Sequence, residues 1–440
     1  MVRDKTPTAQ ETFLQMAQAA GLRGRLLVTI GLLILVRLGI FIPVPGIDRV
    51  KFAEGIQNLP VLGFLDIFTG GGLSALGIFA LGILPFINAS IIMQLLTAAI
   101  PSLEDLQKNE GEAGRRKISQ ITRYVALGWA IIQSVGITVG LLSPYAAEPG
   151  IGFVLETVLA LTAGSMFVMW ISELITERGI GNGASLLIFV NIVATLPKTL
   201  GNGIQIAQTG GRDAIAQVVI LLVVFLIMIV GIVFVQEGTR RIPIISARRQ
   251  VGRRLYRERT SYLPLRLNQG GVMPIIFASA VLILPSSLAT LKFIDPNSTL
   301  GNVFAQISLA LQPGSWIYVA VNLVLIVFFS YFYASLIVNP VDMSQNLKKM
   351  GSSIPGIRPG KNTSAYLEKV INRLTFLGAI FLGIVVTVPI AVEGAIPIGT
   401  TIFRGFGATS LLILVGVAID TAKQIQTYVI SQRYEGMVKK

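Results

Sequence analysis

Gly63-Phe-Leu-Asp-Ile-Phe-Thr-Gly70-Gly71-Gly72 runs on into Phe79-Ala-Leu-Gly-Ile-Leu-Pro-Phe-Ile-Asn-Ala-Ser-Ile-Ile-Met-Gln-Leu-Leu96 and closes at Pro101. The pattern reads as a half-length apolar segment that enters a membrane, stops at flexible backbone and restarts as a helix. In lipid, unpaired backbone groups find no water, so such a break persists only where protein shields it or where it lines a wet cavity. In the restarted helix Ile83, Ile87, Ser90 and Gln94 share one face, with isoleucine toward the break and polar groups beyond it. A lipid-facing stripe has no use for Gln94, and this face is expected to be the wall of a cavity inside the membrane.

Composition agrees with a bilayer as the solvent. The 440 residues are 53% hydrophobic and 13% charged, with a mean hydropathy of +0.72. A polytopic all-α membrane protein is expected. The chain has no cysteine, which excludes disulfides and thiolate-held metals, and no histidine, which removes the usual general base and the commonest metal ligand. No cofactor and no enzymatic activity are expected, and a soluble enzyme is excluded. Residues 1–20 lack the long apolar core of a signal peptide. Thr8 to Glu11 has the form of a capping box, followed either by a surface helix with Phe13 and Met16 on one side or by a frayed tail.

Ten apolar runs are candidate spans, centred on 26–42, 79–100, 122–142, 153–174, a short 184–198, 216–235, 272–291, 316–338, 374–392 and 408–426. The connections fall alternately on two sides. The side holding both termini carries 29 of the 36 lysines and arginines, the other side six, and Arg37 lies inside the first span. By the positive-inside rule both termini and the long basic loops are cytoplasmic.

The two halves of the chain repeat. Pro85-Phe-Ile-Asn-Ala-Ser90 in span two matches Pro274-Ile-Ile-Phe-Ala-Ser279 in span seven, and Ser185-Leu-Leu-Ile188 in span five matches Ser410-Leu-Leu-Ile413 in span ten. Both matches are offset by five spans. Because five is odd, residues 1–205 and 206–440 would cross the membrane in opposite directions, with the functional path between them.

Two cytoplasmic loops exceed what a connection needs. Loop 236–268 carries Arg240, Arg241, Arg248, Arg249, Arg253 and Arg254, and its first part alternates apolar residues with arginine, as a two-stranded ribbon would. Loop 339–373 presents Arg358 between two Pro-Gly turns. These arginines either enforce topology and touch anionic lipid or form a docking surface; their number favours docking. Within the spans, Arg37 and Glu173 lie off centre and are expected to snorkel or pair. No GxxxxGK[ST] phosphate cradle occurs, so any energy source belongs to a partner.

Several long words, in order, resemble the SecY family, the central subunit of the bacterial and plastid protein-conducting channel. They include Leu81-Gly-Ile-Leu-Pro85 through Gln94-Leu-Leu96, Gly114-Arg-Arg-Lys-Ile-Ser through Thr122-Arg-Tyr124, and Ile175-Thr-Glu-Arg-Gly-Ile-Gly-Asn-Gly183. Further on come Tyr262-Leu-Pro-Leu, Ile354-Pro-Gly-Ile-Arg-Pro-Gly360 and Thr409-Ser-Leu-Leu-Ile413. The resemblance implies ten helices in two inverted five-helix halves around an hourglass pore. It places Ile83, Ile87, Ile188, Ile276 and Ile413 in an aliphatic pore ring, which would seal against ions while offering a passing chain no hydrogen bonds. It makes residues 64–76, with Phe68 and the hinge Gly70, Gly71 and Gly72, a re-entrant plug half-helix. Asn88, Ala280 and Leu284 fall at a lateral gate that releases signal sequences and membrane spans into lipid. Gln94 and Asn182 match a polar cluster there, whose mutual hydrogen bonding would favour closure by about 1 kcal/mol.

The implied partners are the small membrane subunits SecE and SecG, the motor ATPase SecA, the ribosome, polypeptides bearing signal sequences, and membrane lipid. Gly351-Ser-Ser353 departs from the bulkier residue that many relatives carry, which leaves the detail of partner contact open. The membrane would be a bacterial plasma membrane, a thylakoid or a plastid membrane. The rival readings are a secondary solute transporter, which would need convergent polar groups at mid-membrane, and a ribosome-recruiting scaffold, which leaves the interrupted second span unexplained.

Overall fold

The computed structural model describes residues 20–48, 52, 66, 69–108, 110–146, 148, 150–246, 250–251, 254–255, 260–289, 306, 310, 315–395 and 408–438. The expected capping box at Thr8 lies outside them, as do Phe68, Arg248, Arg249 and Arg253. The described helices and strands are α1 (Ala20–Gly39), α2 (Leu84–Ala99), α3 (Pro101–Lys108), α4 (Gly111–Ile137), α5 (Ile151–Arg178), α6 (Gly183–Thr209), α7 (Gly211–Glu237), β1 (Thr239–Ser246), β2 (Gln250–Val251), β3 (Arg254–Leu255), β4 (Thr260–Arg266), α8 (Met273–Ala289), α9 (Trp316–Ile337), α10 (Pro340–Lys349), β5 (Ser352–Ser353), α11 (Lys361–Ala395) and α12 (Ala408–Val438).

All ten expected spans coincide with helices, and among the described residues the short helices α3 and α10 and a 3-10 turn at Ser143–Tyr145 are additional. By length and composition, six helical segments among the described residues can cross a bilayer, or seven if α2 and α3 count as one bent span. Helix ends differ from the hydropathy estimates because hydropathy reports lipid contact, whereas a helix continues into water while its backbone bonds hold. Thus α11 begins at Lys361, thirteen residues before the apolar run. The second span starts later than expected, at Leu84, with Ile83 as its N-cap. Gly82 has φ +53°, and Pro85 sits in the first turn, where its missing N–H costs nothing. At the other end Ile100 precedes Pro101 and is extended, and α3 leaves at 104° to α2.

Contacts divide the chain into two compact units, one of residues 1–215, 284–309 and 400–440, the other of 216–283 and 310–399. The first packs α2 on α4, α4 on α5, α5 on α6 and α1, and α6 on α12. Its core gathers Val44, Phe52, Leu73, Leu76, Leu81, Leu142, Phe153 and Leu161, so the glycine-rich stretch is packed inside it. Leu22 and Leu26 on α1 pack with Val429 on α12, and the Arg25 guanidinium lies 4.8 Å from the Tyr428 ring centre. The start of α1 and the far half of α12 therefore share one face of this unit.

The second unit packs α9 on α11 and holds a three-stranded sheet in the order β4-β1-β5. Strands β1 and β4 are antiparallel, with Arg240 opposite Leu265 and Arg241 opposite Pro264. The alternation that predicts a ribbon is seen in the burial: Ile242, Ile244 and Leu265 pack with Leu347, Ile354, Leu367 and Val370, while Arg240 and Arg241 are exposed.

Candidate functional site

The stretch 69–83 is built from turns rather than a continuous helix. Asp66 and Thr69 are helical, and Gly70 and Gly71 then take φ +67° and +88°, a region that glycine enters without steric cost. The Asp66 carboxylate accepts from Ser74 N at 2.8 Å, and Thr69 Oγ1 accepts from Leu73 N at 3.3 Å, so these side chains close the turn. Val44 N donates to Leu76 O and Ile78 N to Ile42 O, which pairs the segment after α1 with the segment before α2. Ser165 on α5 donates to Gly82 O at 3.1 Å. The backbone groups freed by the break are thus met by protein, the condition under which irregular backbone survives at membrane depth.

Arg37 and Glu173 both find partners. Arg37 Nη1 donates to Gly70 O at 2.7 Å, and Glu173 Oε1 accepts from Arg123 Nε at 2.8 Å. Snorkelling is needed for neither.

All five isoleucines assigned to the ring are buried: Ile83, Ile87, Ile188, Ile276 and Ile413 are between 0% and 8% exposed. Ile83 and Ile87 flank the start of α2, and Ile188 and Ile413 lie on α6 and α12, which pack together within the first unit. Ile276 lies in the first turn of α8.

At the gate positions Asn88 and Gln94 are half-buried on α2. Ala280 and Leu284 lie on α8, their side chains outside the described residues. The expected hydrogen bond between Gln94 and Asn182 is not formed. Asn182 Oδ1 instead accepts from Ala184 N at 3.0 Å and Ser185 N at 3.3 Å, capping α6. An asparagine immediately before a helix satisfies the helix's orphan N–H groups with its side-chain oxygen.

The two basic loops form one folded unit, because β5 of the second loop pairs with the end of β1 of the first, Ser246 opposite Ser352 and Ile245 opposite Ser353. Sequence reasoning missed this strand; Ile354, an apolar residue just after it, was the available signal. Ser344 donates to Gly360 O at 2.8 Å and Thr363 to Arg358 O at 3.0 Å, fixing the turn that presents the exposed Arg358. Arg254 sits on β3, opposite Val251 in a two-residue ladder. The departure Gly351-Ser-Ser353 is thus β5 and its approach, paired to the end of β1. Among the described residues no group of acidic or histidine side chains could hold a metal.

Comparison with known proteins follows the same lines. A family model described as SecY matches residues 77–422. The protein translocase subunit SecY of Synechocystis sp. is 77% identical over 440 residues, covering 99% of both chains, and that of Synechococcus elongatus is 71% identical over 444 residues, again covering 99% of both. Among solved structures, a SecY protein described for a plug domain that stabilises the closed translocation channel and maintains a membrane seal has a TM-score of 0.64 at 16% identity, covering 92% of this chain and 91% of that one. Sec61 in the canine ribosome-channel complex has a TM-score of 0.60 at 17% identity, with the same coverage. The fold is that of these channels, ten membrane helices with a plug. With the family model spanning most of the sequence and relatives matching it from end to end, the chain belongs to the SecY family.

Proposed function

We propose that this SecY-family translocase subunit conducts unfolded secretory polypeptides between its two inverted halves, 1–205 and 206–440, and releases signal sequences and membrane spans sideways into lipid. The observation that carries the reading is the burial of the five ring isoleucines together with the built, shielded break at 69–83. In this reading the isoleucine ring excludes water around the passing chain by dewetting and holds no particular sequence. Residues 64–76 plug the path at rest, and Asn88, Ala280 and Leu284 line the lateral exit. Gln94 lies beside that exit, and Asn182 contributes by capping α6.

The sheet and α10 form the cytoplasmic docking surface, with Arg240, Arg241, Arg248, Arg249, Arg253, Arg254 and Arg358 facing partners. The ribosome is one, supported by the Sec61 relative solved in a ribosome complex. SecA supplies the energy the chain lacks, and SecE and SecG complete the membrane complex. Both termini are cytoplasmic, as the charge asymmetry and the packing of α1 against α12 support. The host membrane is a bacterial plasma membrane, with thylakoid or plastid membrane as the other settings. The transporter reading gains nothing: Arg37 and Glu173 are committed to local bonds instead of converging on a solute site.

The test is reconstitution of the complex with SecE, SecG, SecA and ATP in vesicles. Protease protection of a signal-bearing precursor is expected, and its absence with an active motor would overturn the reading.

A further inference from the structure

Gly70 is where three segments distant in sequence meet. Inside the turn the carbonyls of Asp66, Thr69, Gly71 and Gly72 accept from Gly71 N, Gly72 N, Ala75 N and Gly77 N respectively. The Gly70 carbonyl points elsewhere and accepts from Arg37 Nη1 on α1 at 2.7 Å. A Cβ at Gly70 would lie 2.5 Å from that nitrogen and 2.6 Å from Asn191 Oδ1 on α6, so both side chains approach the glycine too closely for any larger residue. Asn191 is 4% exposed, and Arg37 is partly buried. A charged donor on a carbonyl, shielded from water, is among the stronger hydrogen bonds a protein makes.

Resting on the plug assignment proposed above, we propose that Arg37 and Asn191 are positioning residues for channel closure, a polar latch on the hinge of the plug. The latch holds the first hinge glycine, so the turn beyond it cannot swing until the Gly70 carbonyl leaves the guanidinium. Once the path is wet, water replaces the lost acceptor, which makes release reversible. Asn191 lies three residues after Ile188 on the same face of α6. A chain that pushes Ile188 aside therefore also disturbs the latch, coupling the widening of the ring to plug release.

The test uses the full translocase complex in vesicles, carrying Arg37→Met, Arg37→Lys or Asn191→Leu, with deletion of 66–74 as reference. Two quantities are read: the resting ion leak without precursor, and the ratio of translocation for a crippled-signal precursor to that for an intact one. Arg37→Met is expected to raise both about tenfold, the factor that loss of a charged hydrogen bond sets. Arg37→Lys, which keeps charge and a donor, should recover most of the change. Asn191→Leu should move both readouts the same way by a smaller factor, and it carries the test if Arg37→Met does not assemble. A leak and a ratio at wild-type values in the assembled variants, while the deletion raises the leak, overturn the latch. Translocation lowered equally for both precursors with no leak also overturns it, since that is loss of structure. If the deletion itself leaves the leak unchanged, the plug assignment fails and the latch with it.

Discussion

Ile87 and Ile276 occupy the same place in two helices, each the fourth residue of its helix and two residues after a proline at the second position. Both are buried, at 8% and 6% exposure. The second repeated word behaves in the same way: Ser185 is the third residue of α6 and Ser410 the third of α12. Both pairs thus sit at equal distances from a helix start, as the proposed repeat requires.

Matched register predicts matched consequences. Under the proposed function, Ile87→Asn and Ile276→Asn each put an amide where a dewetted aliphatic ring is proposed, which would then admit water. Both should raise resting ion conductance of the reconstituted complex in planar bilayers by a similar factor. A leak from one position alone would separate the two.

The Arg123 and Glu173 pair joins α4 to α5 and is partly exposed, at 45% and 20% of their side chains. Its contribution is discounted for screening to about 1 kcal/mol or less. Glu173→Gln should lower the thermal midpoint in detergent slightly, and the swap Arg123→Glu with Glu173→Arg should regain part of it. Additivity of the two single changes in the cycle would show that the pair is not coupled.

Two helix glycines should respond oppositely to alanine. A Cβ on Gly183 would run into the Ser172 carbonyl at the α5 to α6 turn, whereas Gly128 on α4 has open space within 4 Å. Gly183→Ala is expected to cut assembled yield severely, and Gly128→Ala to raise stability by about 0.5–1 kcal/mol. Unfolding midpoints in one detergent compare them directly.

The proposed docking surface allows charge to be separated from fold. Arg240→Glu with Arg241→Glu should weaken ribosome binding and flatten its dependence on salt, with the sheet intact. Ile244→Asp buries a charge in the sheet's core and should abolish binding by unfolding the loops. Limited proteolysis of loop 236–268 distinguishes them: only Ile244→Asp should be cut rapidly.

The ten helices were legible because an apolar run of bilayer length has few other fates, and the β1 and β4 ribbon because a half-buried strand alternates. What escaped depends on contacts between segments. The role of Arg37 needs the Gly70 carbonyl from a turn 33 residues away. Strand β5 is two serines long and has no pattern of its own. Asn182 shows the reverse: its Oδ1 is engaged locally, by the N-terminus of α6.

The proposed function requires that a polypeptide pass the isoleucine ring. Because the chain has no cysteine, one introduced at Ile276 is unique, and one at Val324 on α9, 68% exposed, serves as the outward control. A secretory precursor carrying a single cysteine is halted in transit, and disulfide formation is scored. A crosslink at 276 and none at 324 is expected. No crosslink at 276 while the precursor is demonstrably halted in this complex would contradict it.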